Sequence, residues 1–172
     1  MKLLVASDIH GSAFYCRKLM DAIERENPDK VVLLGDLLYH GPRNDLPEGY
    51  NPKEVAKMLN SIKEKILSVR GNCEAEVDQM MMEFPVLGEA LSIYWEGECI
   101  SVTHGHHELP PLPKGTIVLS GHTHVPVDKE EEGIRYLNPG SVSIPKEGSW
   151  HGYMIMENGN FVWKDLSGKV MK

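Results

Sequence analysis

Gly121-His122-Thr123-His124 carries the residues of this chain best placed to do chemistry, because two imidazoles separated by one residue can serve as neighbouring metal ligands. The motif follows a short apolar run, Ile117 to Leu119, that reads as a buried strand, so both histidines stand where a strand becomes a loop. Extended backbone points residues two apart to the same side, which predicts imidazoles about 6.5 to 7 Å apart along the chain. Gly121 lets the backbone turn or approach an ion closely, and the small Thr123 can point away or bond to nearby backbone. A surface His-x-His alone is usually just polar loop. Its weight comes from four further stretches, each after a predicted strand: Asp8 and His10, then Asp36, then Asn72, then His104. Seven ligands exceed the three or four that one zinc ion takes, whereas two ions sharing a bridging carboxylate use them all. The carboxylate, imidazole and amide set contains no obligatory thiolate, which favours manganese, iron or zinc without choosing among them.

The elements that must position these residues are legible as alternating strands and helices. Leu3 to Ala6 and Val31 to Leu34 are continuous apolar runs, and between them Cys16, Leu19, Met20 and Ile23 form one helical stripe behind a Ser12 N-cap, ending near Asn27-Pro28. Continuous apolar strands joined by a helix argue for a parallel sheet covered on both faces. The Pro- and Gly-rich stretch from Tyr39 to Pro52 reads as a long functional loop, after which Asn51, Pro52 and Glu54 open a second crossover helix with Val55, Met58, Leu59 and Ile62 as its stripe. Ile66 to Val69 is a third strand, and a short helix from Val77 to Met82 follows. Beyond Gly88 the pattern turns to hairpins: Leu91–Trp95 with Cys99–Thr103, Val125–Lys129 with Ile134–Leu137, and Tyr153–Met156 with Phe161–Lys164 around Asn158-Gly159. A βαβαβ-like first part and a β-rich second part predict an α/β fold, a two-sheet β-sandwich flanked by helices on its outer faces. In such sheets the loops gather at the carboxyl edge, where residues distant in sequence converge.

At 172 residues the chain is expected to form one domain, 1–172, with an ordinary globular composition of 41% hydrophobic and 25% charged residues. A formal charge of −7 gives no basic footprint for phosphate backbones, so stable nucleic-acid binding is not expected, although a small nucleotide can reach a metal. Cys16, Cys73 and Cys99 form neither a CxxC pair nor a disulfide framework, which suits reduced cytoplasm. The apolar run at Leu3–Ala6 is too short for a signal-peptide core or membrane span. Tyr94, Trp95 and Trp150 are the candidates for contact in a homodimer.

Asp8-x-His10, Gly35-Asp36, Gly71-Asn72-x-Glu74, the His104-Gly105-His106 stretch and Gly121-His122-x-His124, in that order, resemble the motif blocks of the calcineurin-like metallophosphoesterase superfamily. Within it, His40-Gly-Pro-Arg-Asn44, Leu46-Pro-Glu-Gly-Tyr50, Cys73 after Asn72, and Asn138 to Pro145 look like the YfcE-type phosphodiesterases. The resemblance implies the α/β/β/α metallophosphoesterase fold and a binuclear centre: Asp8, His10 and His124 on one ion, Asn72, His104 and His122 on the other, with Asp36 bridging. It implies two divalent ions, manganese first, with zinc and iron as alternatives. A metal-bridging hydroxide would attack the phosphorus of a small phosphodiester or nucleotide-like substrate, making the chain a phosphoric diester hydrolase. Arg43, Asn72 and Cys73 are the candidate substrate contacts. Many members carry His where this chain has Cys73, and a thiol is a poorer general acid for an alkoxide. The candidates for that role are therefore Cys73 and His106, with His107 beside it, or else substrates with good leaving groups are preferred. The connection from His106 to Gly115 is also short for this type. The alternatives are a phosphomonoesterase and a non-catalytic, partner-binding scaffold of the same fold, which would show replaced ligands; here none is replaced.

Overall fold

A computed structural model describes residues 1–172. Its first sheet is built on three short apolar strands, β1 (Leu3–Ala6), β2 (Lys30–Leu33) and β3 (Ile66–Ser68), all parallel. Helices α1 (Ala13–Glu26) and α2 (Pro52–Asn60) are the crossovers between them. The Ser12 hydroxyl accepts from the Tyr15 amide, and Asn27 closes α1 in the left-handed region. The Asn51 side chain likewise accepts from the Glu54 amide, with Pro52 in the first turn. A short α3 (Glu76–Met81) leads to the second sheet, whose strands are β4 (Ala90–Trp95), β5 (Glu98–Thr103), β6 (Ile117–Leu119), β7 (Val127–Glu131) and β8 (Ile134–Asn138). Strands β9 (Gly152–Glu157) and β10 (Asn160–Asp165) return to the first sheet. The strand orders are β10-β9-β1-β2-β3 and β4-β5-β6-β8-β7. In the second sheet β5, β6 and β8 are mutually parallel inside an otherwise antiparallel frame.

Alternation along the strands explains why β1 and β2 are apolar throughout. Leu4, Ala6, Val31 and Leu33 pack with Leu19, Val55 and Leu59 of the helices, whereas Leu3, Val5 and Val32 pack with Ile100, Val102, Ile117 and Leu119 between the sheets. The result is the expected two-sheet sandwich with flanking helices. The apolar faces of α1 and α2 all lie on the outer side of the first sheet, and the core between the sheets contains no helical residue. Across the second sheet, β4 and β5 turn Ser92, Tyr94 and Cys99 outward and exposed, a face with little apolar surface for a helix to bury.

Two expectations shift. Strand β7 begins at Val127 rather than Val125, since Pro126 lacks an N–H for the ladder, and its turn narrows to Glu132-Gly133, both left-handed. Trp95 is only 1% exposed and its indole N–H donates to the Met1 carbonyl at 2.7 Å, which withdraws it from any interface role; Tyr94 is exposed. No helix of the structure is long and apolar enough to cross a membrane.

Candidate metal centre

The carboxyl ends of five strands meet along one edge of the sandwich. Asp8 and His10 follow β1, Asp36 follows β2, Asn72 follows β3, His104 follows β5, and His122 and His124 follow β6. Asp8, His10, Asp36, His104 and His124 are buried, His122 is half-buried and Asn72 is exposed. His122 and His124 are not extended as expected: both take left-handed backbone (φ 66° and 61°), and their rings lie beside different neighbours. The His124 ring lies 5.0 Å from that of His10, and the His122 ring 5.1 Å from that of His104. Asp8, His10 and Asp36 also have positive φ.

Three imidazoles are oriented by main-chain carbonyls. The Nδ1–H of His10 donates to Tyr39 O at 2.9 Å, that of His104 to Leu34 O at 2.6 Å, and that of His124 to Ile144 O at 2.6 Å. A carbonyl only accepts, so each Nδ1 must carry a proton and each Nε2 is turned inward. There, His10 Nε2 and His124 Nε2 approach to 3.2 Å, and Asp8 Oδ1 lies 3.5 and 3.2 Å from them. Asp8 Oδ1 is buried with no hydrogen-bond donor. One carboxylate oxygen and two imidazole nitrogens thus converge on one point, a donor set that fits a cation. Around His104, Nε2 faces Asn72 Oδ1 at 3.1 Å and Asp36 Oδ2 at 3.5 Å. Asp36 Oδ2 is also 3.7 Å from His10 Nε2, so this one carboxylate oxygen stands between the two groups of ligands.

Burial favours the neutral form of both carboxyls, but His10 and His124 beside Asp8, and His104 beside Asp36, outweigh it and hold both below the usual range. Burial likewise opposes charge on His104, yet Asp36 and Asp8 raise it to about 9. The site therefore draws positive charge by itself. Burial, reinforced by Asp36, pushes the Cys73 thiol up, so it stays protonated at neutral pH. Its amide donates to Asp36 Oδ1 at 2.9 Å, and the Asn72 amide lies 3.3 Å from its sulfur. His106 packs 5.3 Å from His104, ring to ring, while His107 turns outward toward Glu89.

A cavity of about 350 Å³ opens over these residues, lined also by Arg43, Asn44, Thr123 and Lys146. Arg43 thus borders the same cavity as the candidate ligands. Lys146 carries no motif signal and was not expected; its amide donates to His124 O at 3.2 Å. A second residue not assigned a role from sequence is Glu74, whose buried carboxylate accepts the amides of Asp36 (2.8 Å), Leu37 (2.6 Å) and Gly71 (2.5 Å). Its place in the Gly-Asn-x-Glu block was the available signal.

Residues 1–160 match the family model for the calcineurin-like phosphoesterase superfamily domain. The chain belongs to that superfamily. It is 43% identical over 162 residues to the phosphodiesterase YfcE of Escherichia coli strain K12, covering 92% of this chain and 88% of the relative. The solved structure of that phosphoesterase superposes with a TM-score of 0.96 at 40% identity, covering 100% of this chain and 97% of the other. A phosphodiesterase of Methanocaldococcus jannaschii is 24% identical over 81% of this chain and 83% of its own length. Vps29 of Entamoeba histolytica, solved in complex with zinc, shares the fold alone: TM-score 0.61 at 22% identity, covering 91% of this chain and 86% of the other. Divalent-metal chemistry is thus in keeping with the superfamily, and the inward-facing donors of this chain fit it.

Proposed function

We propose that this chain is a phosphoric diester hydrolase with a binuclear centre, acting through residues 1–172 as one domain on small phosphodiesters. The observation that carries the reading is the buried, donor-less Asp8 Oδ1 facing two inward Nε2 atoms, with Asp36 Oδ2 placed between that trio and the His104 group. Asp8, His10 and His124 would hold one divalent ion and Asn72, His104 and His122 a second, with Asp36 shared; manganese is the first choice. When bound, the pair would supply Lewis acidity and an activated water at neutral pH. The chain's own contribution is order. Main-chain carbonyls fix three imidazoles in one tautomer, the Cys73 amide fixes Asp36 Oδ1, and Glu74 fixes the backbone that presents Asp36. Arg43, Lys146 and the Asn72 amide line the cavity where phosphoryl oxygens would collect negative charge. Because a thiol is a poor general acid for an alkoxide, diesters with leaving groups that depart unprotonated should react fastest. Three cysteines without a disulfide suit a reducing compartment, and we place the protein in the cytoplasm.

The test is hydrolysis of bis(4-nitrophenyl) phosphate by chelator-stripped protein with manganese restored, beside Asp36→Asn. Activity should return with metal in the wild type and fall by about a hundredfold or more in the variant, since an amide there removes the shared charge. A clear preference for 4-nitrophenyl phosphate over the diester would replace the reading with a monoesterase, and inactivity of the metal-loaded wild type would sink it.

A further inference from the structure

Next to the metal-facing cavity lies a second of about 360 Å³, of different character. Its walls are Leu38, Tyr39, Tyr50, Pro52, Val77 and Met81, and its charged side chains are Lys53 and Asp78. Cys73 forms part of both cavities. It is therefore the partition between an apolar cleft and a polar one, and its amide is bonded to Asp36 Oδ1 at 2.9 Å. Tyr39 joins the two in another way: its carbonyl orients His10 while its side chain lines the cleft.

Helix α3 provides the outer wall. It buries no residue of its own in the core, and its apolar side chains Val77 and Met81, spaced four apart on one face, are 59% and 42% exposed. Val77 and Met81 thus leave apolar surface open to solvent beside a cavity that adjoins the proposed phosphoryl site. Two tyrosine rings and a thioether favour a flat, polarisable group, and the volume suits a single ring or a nucleobase-sized one.

We propose that this cleft is the subsite for an aromatic ester group of the substrate, whose phosphorus sits across Cys73 in the metal-facing cavity. The inference rests on the metal-dependent phosphoesterase reading and adds the class of ester to it: aryl or nucleobase-bearing rather than small aliphatic. Cys73 is the one residue that the linings of the two cavities share, so it would stand between the ester ring and the phosphorus.

The test is separable from turnover. Manganese-loaded protein is titrated calorimetrically with phenylphosphonate and methylphosphonate, two anions that cannot be hydrolysed, and bis(4-nitrophenyl) phosphate hydrolysis is measured on the same preparation. Phenylphosphonate should bind about tenfold more tightly, the yield of burying much of one ring. In Val77→Gln/Met81→Gln the ratio should fall to about one; both positions are exposed, so the core is not opened. Tyr94→Gln, an exposed aromatic on the other sheet, should keep the wild-type ratio. Equal binding by a protein that hydrolyses the diester overturns the subsite while leaving the proposed function intact. A ratio that survives the double substitution overturns its placement in this cleft. Sedimentation of the double variant adds a further check: a lost dimer with an unchanged ratio would show that a second copy of the chain, not substrate, covers the cleft. Neither binding nor hydrolysis would overturn the underlying reading and this inference together.

Discussion

Glu74 shows how much of this site depends on residues that need touch no ligand. Its two oxygens accept three main-chain amides, one of them that of Asp36, and burial together with the Asp36 charge lifts its carboxyl to about 7 against those donors. Replacing Glu74 by Gln turns one acceptor into an NH₂ facing N–H groups. The expected outcome is a loss of about 2 kcal/mol in stability and of about tenfold in manganese affinity, because the Asp36 backbone loses its anchor. Urea unfolding and metal titration would check both. Unchanged metal affinity would show that the Cys73 amide alone holds Asp36. At this scale the seven candidate ligands gather at one edge of the sandwich, but His122 and His124 do so on backbone that is not extended. His122 and His124 face different partners because their backbone is left-handed, not extended, and a His-x-His string carries no sign of that.

At the scale of elements, the ligand loops are strained turns held from behind. Asp8, His10, Asp36, His122 and His124 all have φ between 49° and 66°, each at a cost of about 1 kcal/mol for a residue with a Cβ. The segment after β8 offsets part of that cost. The Asn138 amide donates to Gly121 O at 2.7 Å and to Thr123 Oγ1 at 3.1 Å, the Ser141 and Ser143 hydroxyls donate to Asp8 O, and Ile144 O receives His124. Asn138→Ala should therefore cost about 2 kcal/mol and weaken metal binding through the loop it no longer braces. Full metal affinity in a folded Asn138→Ala protein would show that the loop keeps its shape unaided. Gly121 meets a tighter constraint, since a Cβ there would collide with the Ser7 hydroxyl and come within 2.9 Å of Asp8 Oδ2. The expected close approach of that glycine is to the neighbouring ligand loop.

Across the whole molecule, Glu26 ties the C-terminal end of α1 to β9, to the edge strand β10 and to the start of β1. Its buried carboxylate accepts from Tyr153 Oη and Lys164 Nζ, each at 2.8 Å, and lies 3.3 Å from Lys2 Nζ. Burial opposes its charge, but Lys164, Tyr153 and Lys2 outweigh burial and hold the carboxyl below its ordinary 4.5. A carboxyl depressed in the folded state adds stability that is present above its unfolded value and lost as pH falls through the folded one. Glu26→Gln should thus lower stability by about 2 kcal/mol at neutral pH and by less as the solution is acidified below 4.5. Denaturant midpoints of both proteins across that range would check it; a gap independent of pH would mean that the loss is one of packing. Glu26 gave no signal in the sequence, as its partners are 127 and 138 residues away. Strands β1 to β3, the capped helices between them, the order of the motif blocks and so the family are legible in the chain alone, because each rests on periodicity, turn chemistry or local spacing. Folding in three dimensions settles the rest: which imidazole faces which carboxylate, that α1 and α2 pack outside the first sheet, that Trp95 is interior, and that an apolar cleft opens beyond Cys73. These depend on side chains brought together across the sandwich and on left-handed turns whose shape is set by the neighbours that brace them.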